Sequence, residues 1–252
     1  MAGSSPSVGG TGHANAAGSG GTSGAAAQSG SAGVAGFPPL PAQLTVHVAG
    51  DSTAAIFPAS DGRVGWAAVF QQFFSSGVTV DDAARSGRST KSFIDEGWWK
   101  RLKATIRGGD YVFIGFAHND EKMDDPSLYT DAATTFRTNL ELFIGDTRTT
   151  GGVPILLTPT SRAQFSGAKI VQTHGAYPAA VMAVGAETQT PVIDLTEKTR
   201  AWLESIGPSA APAFYAPNDT THTNAEGAKV IASLVVQGMH ELGLPLTQRL
   251  VP

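Results

Sequence analysis

The sequence predicts an α/β fold, a three-layer α/β/α sandwich around a mostly parallel sheet of five strands. Three observations carry this expectation. Strand-like and helix-like segments alternate from Leu44 onward, which calls for parallel strands joined by right-handed crossovers. The runs Val112-Phe113-Ile114 and Ile155-Leu156-Leu157 are continuously apolar, as strands covered on both faces are. About 41% of the 252 residues are hydrophobic, enough for a substantial core.

Residues 1–41 are mostly Gly, Ala, Ser and Thr and end in Phe37-Pro38-Pro39-Leu40-Pro41. Such a stretch buries too little apolar surface to offset its ordering entropy, so it is expected to be a disordered linker or leader. Residues 42–252 are then the folded domain. A long Gly/Ser/Ala leader suits an exported domain, so the expected location is extracellular, cell-surface or periplasmic, with any export signal or anchor outside this chain.

The predicted strands are Leu44–Ala49, Val78–Ala83, Tyr111–Phe116, Val153–Leu157 and the short Val192–Leu195. β-Branched residues in the first of these fit a pleated interior. Helices are expected over Gly65–Phe74, where Trp66, Val69, Phe70 and Phe73 fall at helical spacing, and over Ser92–Ile106. Further helices are expected at Tyr129–Thr147, Pro178–Thr188, Thr196–Ile206 and Asn224–Leu242.

The net charge of −4 is mild and no basic patch dominates, which disfavours nucleic acid as a partner. No apolar run approaches the ~20 residues of a membrane span, so no membrane insertion is expected. There is no cysteine, which excludes disulfides, thiolate zinc sites and cysteine nucleophiles.

Four strand ends carry polar residues suited to chemistry. The first strand runs into Gly50-Asp51-Ser52-Thr53. The glycine permits a sharp exit, and all three polar residues are good helix N-caps, so Ser52 is expected at the sheet's C-terminal edge beside a helix N-terminus. It either caps that helix or serves as a nucleophile. The second strand runs into Arg85-Ser86-Gly87, where Gly87 is either a plain turn residue or a backbone N–H open to a ligand. The third runs into Ala117-His118-Asn119-Asp120; Asn119 either forms an Asx-turn or donates its amide to an oxyanion. The last loop carries Asp219-Thr220-Thr221-His222. One tight turn can let that carboxylate hold the imidazole, leaving the far nitrogen as a base; capping by Asp219 or Asn224 beside a surface histidine is the alternative.

Together these residues supply the nucleophile, base, orienter and donors that acyl transfer requires. Gly-x-Ser-x-Gly is absent, which disfavours the usual α/β-hydrolase elbow. From Leu44 to the C-terminus the chain resembles the SGNH or GDSL hydrolase superfamily and its flavodoxin-like fold. Gly50-Asp51-Ser52, Gly87, Asn119 and Asp219-x-x-His222 match its blocks. Ala49-Gly50-Asp51-Ser52-Thr53, Gly65-Trp66, Gly87-Arg88-Ser89, Ser92-Phe93 and His118-Asn119-Asp120 are most similar to rhamnogalacturonan acetylesterases, the carbohydrate esterases of family 12. One departure is Ala117, where that subfamily has glycine.

The resemblance implies Ser52 as nucleophile, His222 as base and Asp219 as its orienter. It implies an oxyanion hole of the Ser52 and Gly87 N–H groups with the Asn119 amide, and neither metal nor organic cofactor. The implied substrate is an acetylated polysaccharide or oligosaccharide, rhamnogalacturonan, pectin or xylan, acted on by a monomer. A GDSL-type lipid esterase or lysophospholipase, or a carbohydrate-binding domain without catalysis, are the alternatives on the same scaffold.

Other polar and aromatic residues are assigned to structure. Trp98 and Trp99 are expected in the core rather than on a sugar. His47 is expected to be packed, and His174 and His240 show no partner pattern. Asp81-Asp82 and Asp124-Asp125 lack the spacing of a calcium site. Arg88 either touches a polysaccharide carboxylate or is a surface charge.

Overall fold

The computed structural model describes residues 36–252; of the segment read as a linker, residues 1–35 lie outside the described residues. Five parallel strands form the sheet: β1 (Leu44–Gly50), β2 (Val78–Asp82), β3 (Tyr111–Gly115), β4 (Val153–Leu157) and, across the chain from a small hairpin, β7 (Val192–Ile193). The order is β2-β1-β3-β4-β7. The hairpin strands β5 (Phe165–Ser166) and β6 (Lys169–Ile170) pair antiparallel outside this sheet. They are too short to leave a periodic signal, and the sequence reading did not anticipate them.

The two-residue period of β3 splits its side chains between two cores. Tyr111 and Phe113 pack with Phe70 and Trp66 of the 3₁₀ helix Trp66–Phe73, and with Ile231, Val235 and Met239 of α6 (Ala225–Glu241). Val112 and Ile114 pack on the other face with Phe93, Leu140, Phe143 and Val184. These belong to α1 (Thr90–Asp95), α3 (Thr135–Thr149) and α4 (Tyr177–Thr188). The side chains of β3 from Val112 to Ile114 are essentially fully buried, each stabilising the fold by roughly 1.5–3 kcal/mol. Phe37 and Leu40 also pack against the first core, so packing begins upstream of residue 42.

The expected helix Ser92–Ile106 is two helices, α1 and α2 (Trp98–Lys103). Gly97 between them adopts a left-handed conformation at φ 76°, which turns the chain. Trp99 is core, as expected. Trp98 instead lies half-buried between the guanidinium groups of Arg85 and Arg101, each 4.5 Å from its ring. The helix expected from Tyr129 begins at Thr135. Before it, the Asp131 carboxylate accepts from the Ala133 N–H and the Thr134 hydroxyl, local bonds that compete with helix formation. The remaining helix, α5 (Leu195–Ile206), is capped by the Asp194 side chain.

The register aligns Gly50 of β1 with Gly115 of β3, and Val48 with Asp82 of β2. Three strand ends therefore stop together, and the loops leaving them share one edge. No helix of the described residues is long and apolar enough to cross a membrane.

Candidate active site

Ser52 follows β1 on an isolated turn, not at a helix N-terminus. The Ala54 and Ala55 N–H groups donate to the Asp51 carbonyl, but the chain then runs irregularly to Trp66. The Asp51 carboxylate captures the Thr53 N–H at 2.9 Å and its hydroxyl at 2.8 Å, an Asx-type turn that would open a helix equally well. The turn is braced from outside. Gly65 donates to the Ala55 carbonyl and Trp66 to that of Thr53. A Cβ at Gly65 would stand 2.2 Å from the Ala54 carbonyl carbon, so only glycine permits this approach.

Asp51 is fully enclosed, and its second oxygen faces the buried His118 ring at 3.4 Å. Burial acts to raise the carboxyl, but His118 and the Thr53 donors outweigh it and hold it below the usual range. For His118 burial outweighs the attraction of Asp51 and keeps the imidazole below its ordinary value.

The last loop turns tightly before α6. Asn218 takes φ 58°, and the Ala216 N–H donates to the His222 carbonyl at 2.9 Å. One oxygen of Asp219 accepts from the Thr221 and His222 N–H groups; the other meets His222 Nδ1 at 2.7 Å. Burial acts to raise Asp219, but these donors outweigh it and the carboxyl lies below its usual range. His222 Nε2 lies 2.9 Å from Ser52 Oγ. Asn224 caps α6, so Asp219 is free of that duty. Phe57 meets the His222 ring edge-on, centroids 6.2 Å apart.

Ser52, Gly87, Asn119 and His222 line one cleft of about 330 Å³, with Asp219 behind the imidazole. All five residues singled out in the sequence therefore meet at this edge. Gly87 holds φ 77°, where a side chain would be strained. The Asn119 amide donates one hydrogen to the Arg88 carbonyl at 3.1 Å and keeps a second for a ligand. Asp120 ties the two donor loops together, accepting from the Thr90 N–H at 3.0 Å and from the Thr130 hydroxyl at 2.7 Å. Burial pushes its carboxyl up to about 7 despite these donors. Ala117 takes φ 150°, a conformation that L-residues avoid and glycine adopts freely.

Three cations that the sequence reading did not single out also line the cleft: Arg63, Lys122 and Arg162. Each sits on a loop without periodicity, so nothing in the sequence marks it. Arg63 pairs with Asp61 and Arg162 with Glu121. His174, expected to lack partners, meets Glu121 at 2.9 Å through Nδ1 and the Thr160 carbonyl at 2.9 Å through Nε2, and stacks edge-on against His118. His47 is packed, bonded to Asp81. Arg88 pairs with Glu96. A larger depression of about 440 Å³ lies around Arg148 and Gln189, with none of these groups.

Residues 48–230 match the family described as GDSL-like Lipase/Acylhydrolase. The rhamnogalacturonan acetylesterase RhgT of Bacillus subtilis (strain 168) is 38% identical over 82% of this chain and 94% of its own length. A rhamnogalacturonan acetylesterase of Emericella nidulans is 26% identical over 82% of this chain and 90% of its own. The solved structure of YxiM from Bacillus subtilis superposes with a TM-score of 0.74 at 27% identity, over 82% of this chain and 58% of that one. An acetylxylan esterase from Geobacillus stearothermophilus shares the fold, with a TM-score of 0.61 at 17% identity over 78% of this chain and 94% of its own.

Proposed function

This chain belongs to the GDSL-like lipase/acylhydrolase family and is a carboxylic ester hydrolase with the SGNH fold, and on that premise we propose that it removes acetyl groups from rhamnogalacturonan outside the cell. The observation that carries the proposal is the hydrogen-bonded chain from Ser52 through His222 to Asp219, at 2.9 and 2.7 Å, opening into a cleft that also holds Gly87 and Asn119.

Ser52 Oγ attacks the acetyl carbonyl as His222 Nε2 takes its proton. Asp219 holds the ring tautomer and stabilises the imidazolium. The Ser52 and Gly87 N–H groups and the Asn119 amide receive the negative charge on the carbonyl oxygen. His222 returns the proton to the departing sugar hydroxyl. Water then enters, gives a proton to His222 and bonds to the acyl carbon, and His222 hands that proton to Ser52 Oγ as the ester bond breaks and acetate leaves.

The cleft wall favours a short acyl group on a polar carrier. Its lining, from Ser52 to His222, contains no Val, Leu, Ile, Met or Phe side chain, so a long acyl chain finds only the stems of Arg and Lys to bury against. Arg63 and Arg162, each in an ion pair, and Lys122 line it while no carboxylate does, which suits the uronate groups of rhamnogalacturonan better than neutral xylan. Acetate release from acetylated rhamnogalacturonan is expected to exceed that from acetylated xylan, and nitrophenyl acetate to be cleaved faster than long-acyl nitrophenyl esters. Preferred hydrolysis of long-acyl esters contradicts the proposal.

A further inference from the structure

Lys122 is the cation of this cleft that forms no ion pair with a carboxylate among the described residues. Its ammonium instead donates to Asn119 Oδ1 at 2.7 Å. The two residues share a turn in which the Lys122 N–H also donates to the Asn119 carbonyl at 3.2 Å. From the other end, Asn119 Nδ2 donates to the Arg88 carbonyl at 3.1 Å.

A primary amide has two orientations of nearly equal shape, distinguished by their hydrogen bonds. Here both contacts select the same one. Turning the amide over would set its NH₂ against the ammonium and its oxygen against the Arg88 carbonyl, two repulsive contacts in place of two bonds. A cation on the amide oxygen also draws electron density from the nitrogen, which makes the remaining N–H a stronger donor.

We propose that Lys122 is a positioning residue for the oxyanion hole, fixing and polarising the Asn119 amide so that its second N–H faces the developing negative charge. This rests on Asn119 being an oxyanion donor. The competing role for an exposed lysine in this cleft is to grip a carboxylate of the substrate.

The two roles separate on 4-nitrophenyl acetate, which has no carboxylate to grip. Lys122→Met is expected to lower kcat on that ester by about 10–100-fold with little change in KM, the size expected for a misplaced catalytic group. Lys122→Arg is expected to recover most of the loss. In the Asn119→Ala background, Lys122→Met is expected to cost nothing further. Lys122 is exposed, so an unchanged melting curve is expected for Lys122→Met. Wild-type kcat in Lys122→Met beside a crippled Asn119→Ala overturns this proposal alone, and a raised KM confined to acetylated rhamnogalacturonan then assigns Lys122 to the substrate carboxylate. Wild-type kcat in Asn119→Ala overturns both this proposal and the donor role beneath it.

Discussion

Asp219 and His222 sit three residues apart on one turn, and the carboxylate holds both the imidazole and the backbone N–H of that histidine. On the opposite wall of the cleft, Asn119 depends on Arg88, and its neighbour Asp120 on Thr90, contacts that span 31 and 30 residues. The first wall is assembled by local chain geometry. The second is assembled only when the β2 and β3 loops dock. The difference teaches that damage to the two walls should differ in kind: loss of chemistry alone on the first, loss of chemistry and loop order together on the second.

The largest expected effect is at the serine that the first wall activates. Ser52→Ala should lower kcat by a factor on the order of 10⁶, and adding His222→Ala should cost almost nothing more, as for groups that act as a unit. Multiplying losses in the double variant would break that unit. The same pair should make activity fall on acidification, because a protonated imidazole cannot take the serine proton. Asp219 is held below its usual range and stays ionised as this happens. A flat profile of kcat/KM from mildly acidic to alkaline pH contradicts a histidine base.

On the second wall, Asn119→Ala should lower kcat by about 10²–10³ with the fold intact, the usual cost of one oxyanion donor. Asp120→Ala should act differently. It leaves the buried Thr90 N–H without its acceptor, which costs roughly 1–3 kcal/mol in urea unfolding. It should also lower kcat, since Thr90 opens the helix that follows Gly87. Lost stability with full activity would show that the loops need not be clamped for catalysis.

The smallest expected effect is at Ala117→Gly. Relief of a strained φ is worth about 1–3 kcal/mol, against roughly 0.5–1 for the added freedom of the unfolded chain and ~0.8 for the buried methyl. The net change should lie between about 1 kcal/mol of destabilisation and about 2 kcal/mol of stabilisation. A much larger destabilisation would show that the methyl is essential packing in the donor loop.

The same contrast explains what could be read from the sequence. The sheet strands were legible because their apolar runs and two-residue period persist whatever surrounds them. Ser52, Gly87, Asn119, Asp219 and His222 were legible because each stands at a strand end or on a short motif. The turn after β1 was not, since N-capping residues at Asp51–Thr53 suit a helix equally well, and only the brace from Gly65 and Trp66 decides against it. Lys122, Arg162 and the partners of His174 were invisible because their contacts join loops with no periodic pattern. The break at Gly97 was carried by one residue whose left-handed conformation has no signature beyond being glycine.

The central claim is that Ser52, activated by His222, carries the acyl group. Reaction with an aryl phosphonate followed by peptide mapping in the mass spectrometer tests it most directly. The adduct is expected on the peptide bearing Ser52, absent from Ser52→Ala and formed far more slowly in His222→Ala. An adduct on another residue, or undiminished labelling of Ser52→Ala, contradicts it.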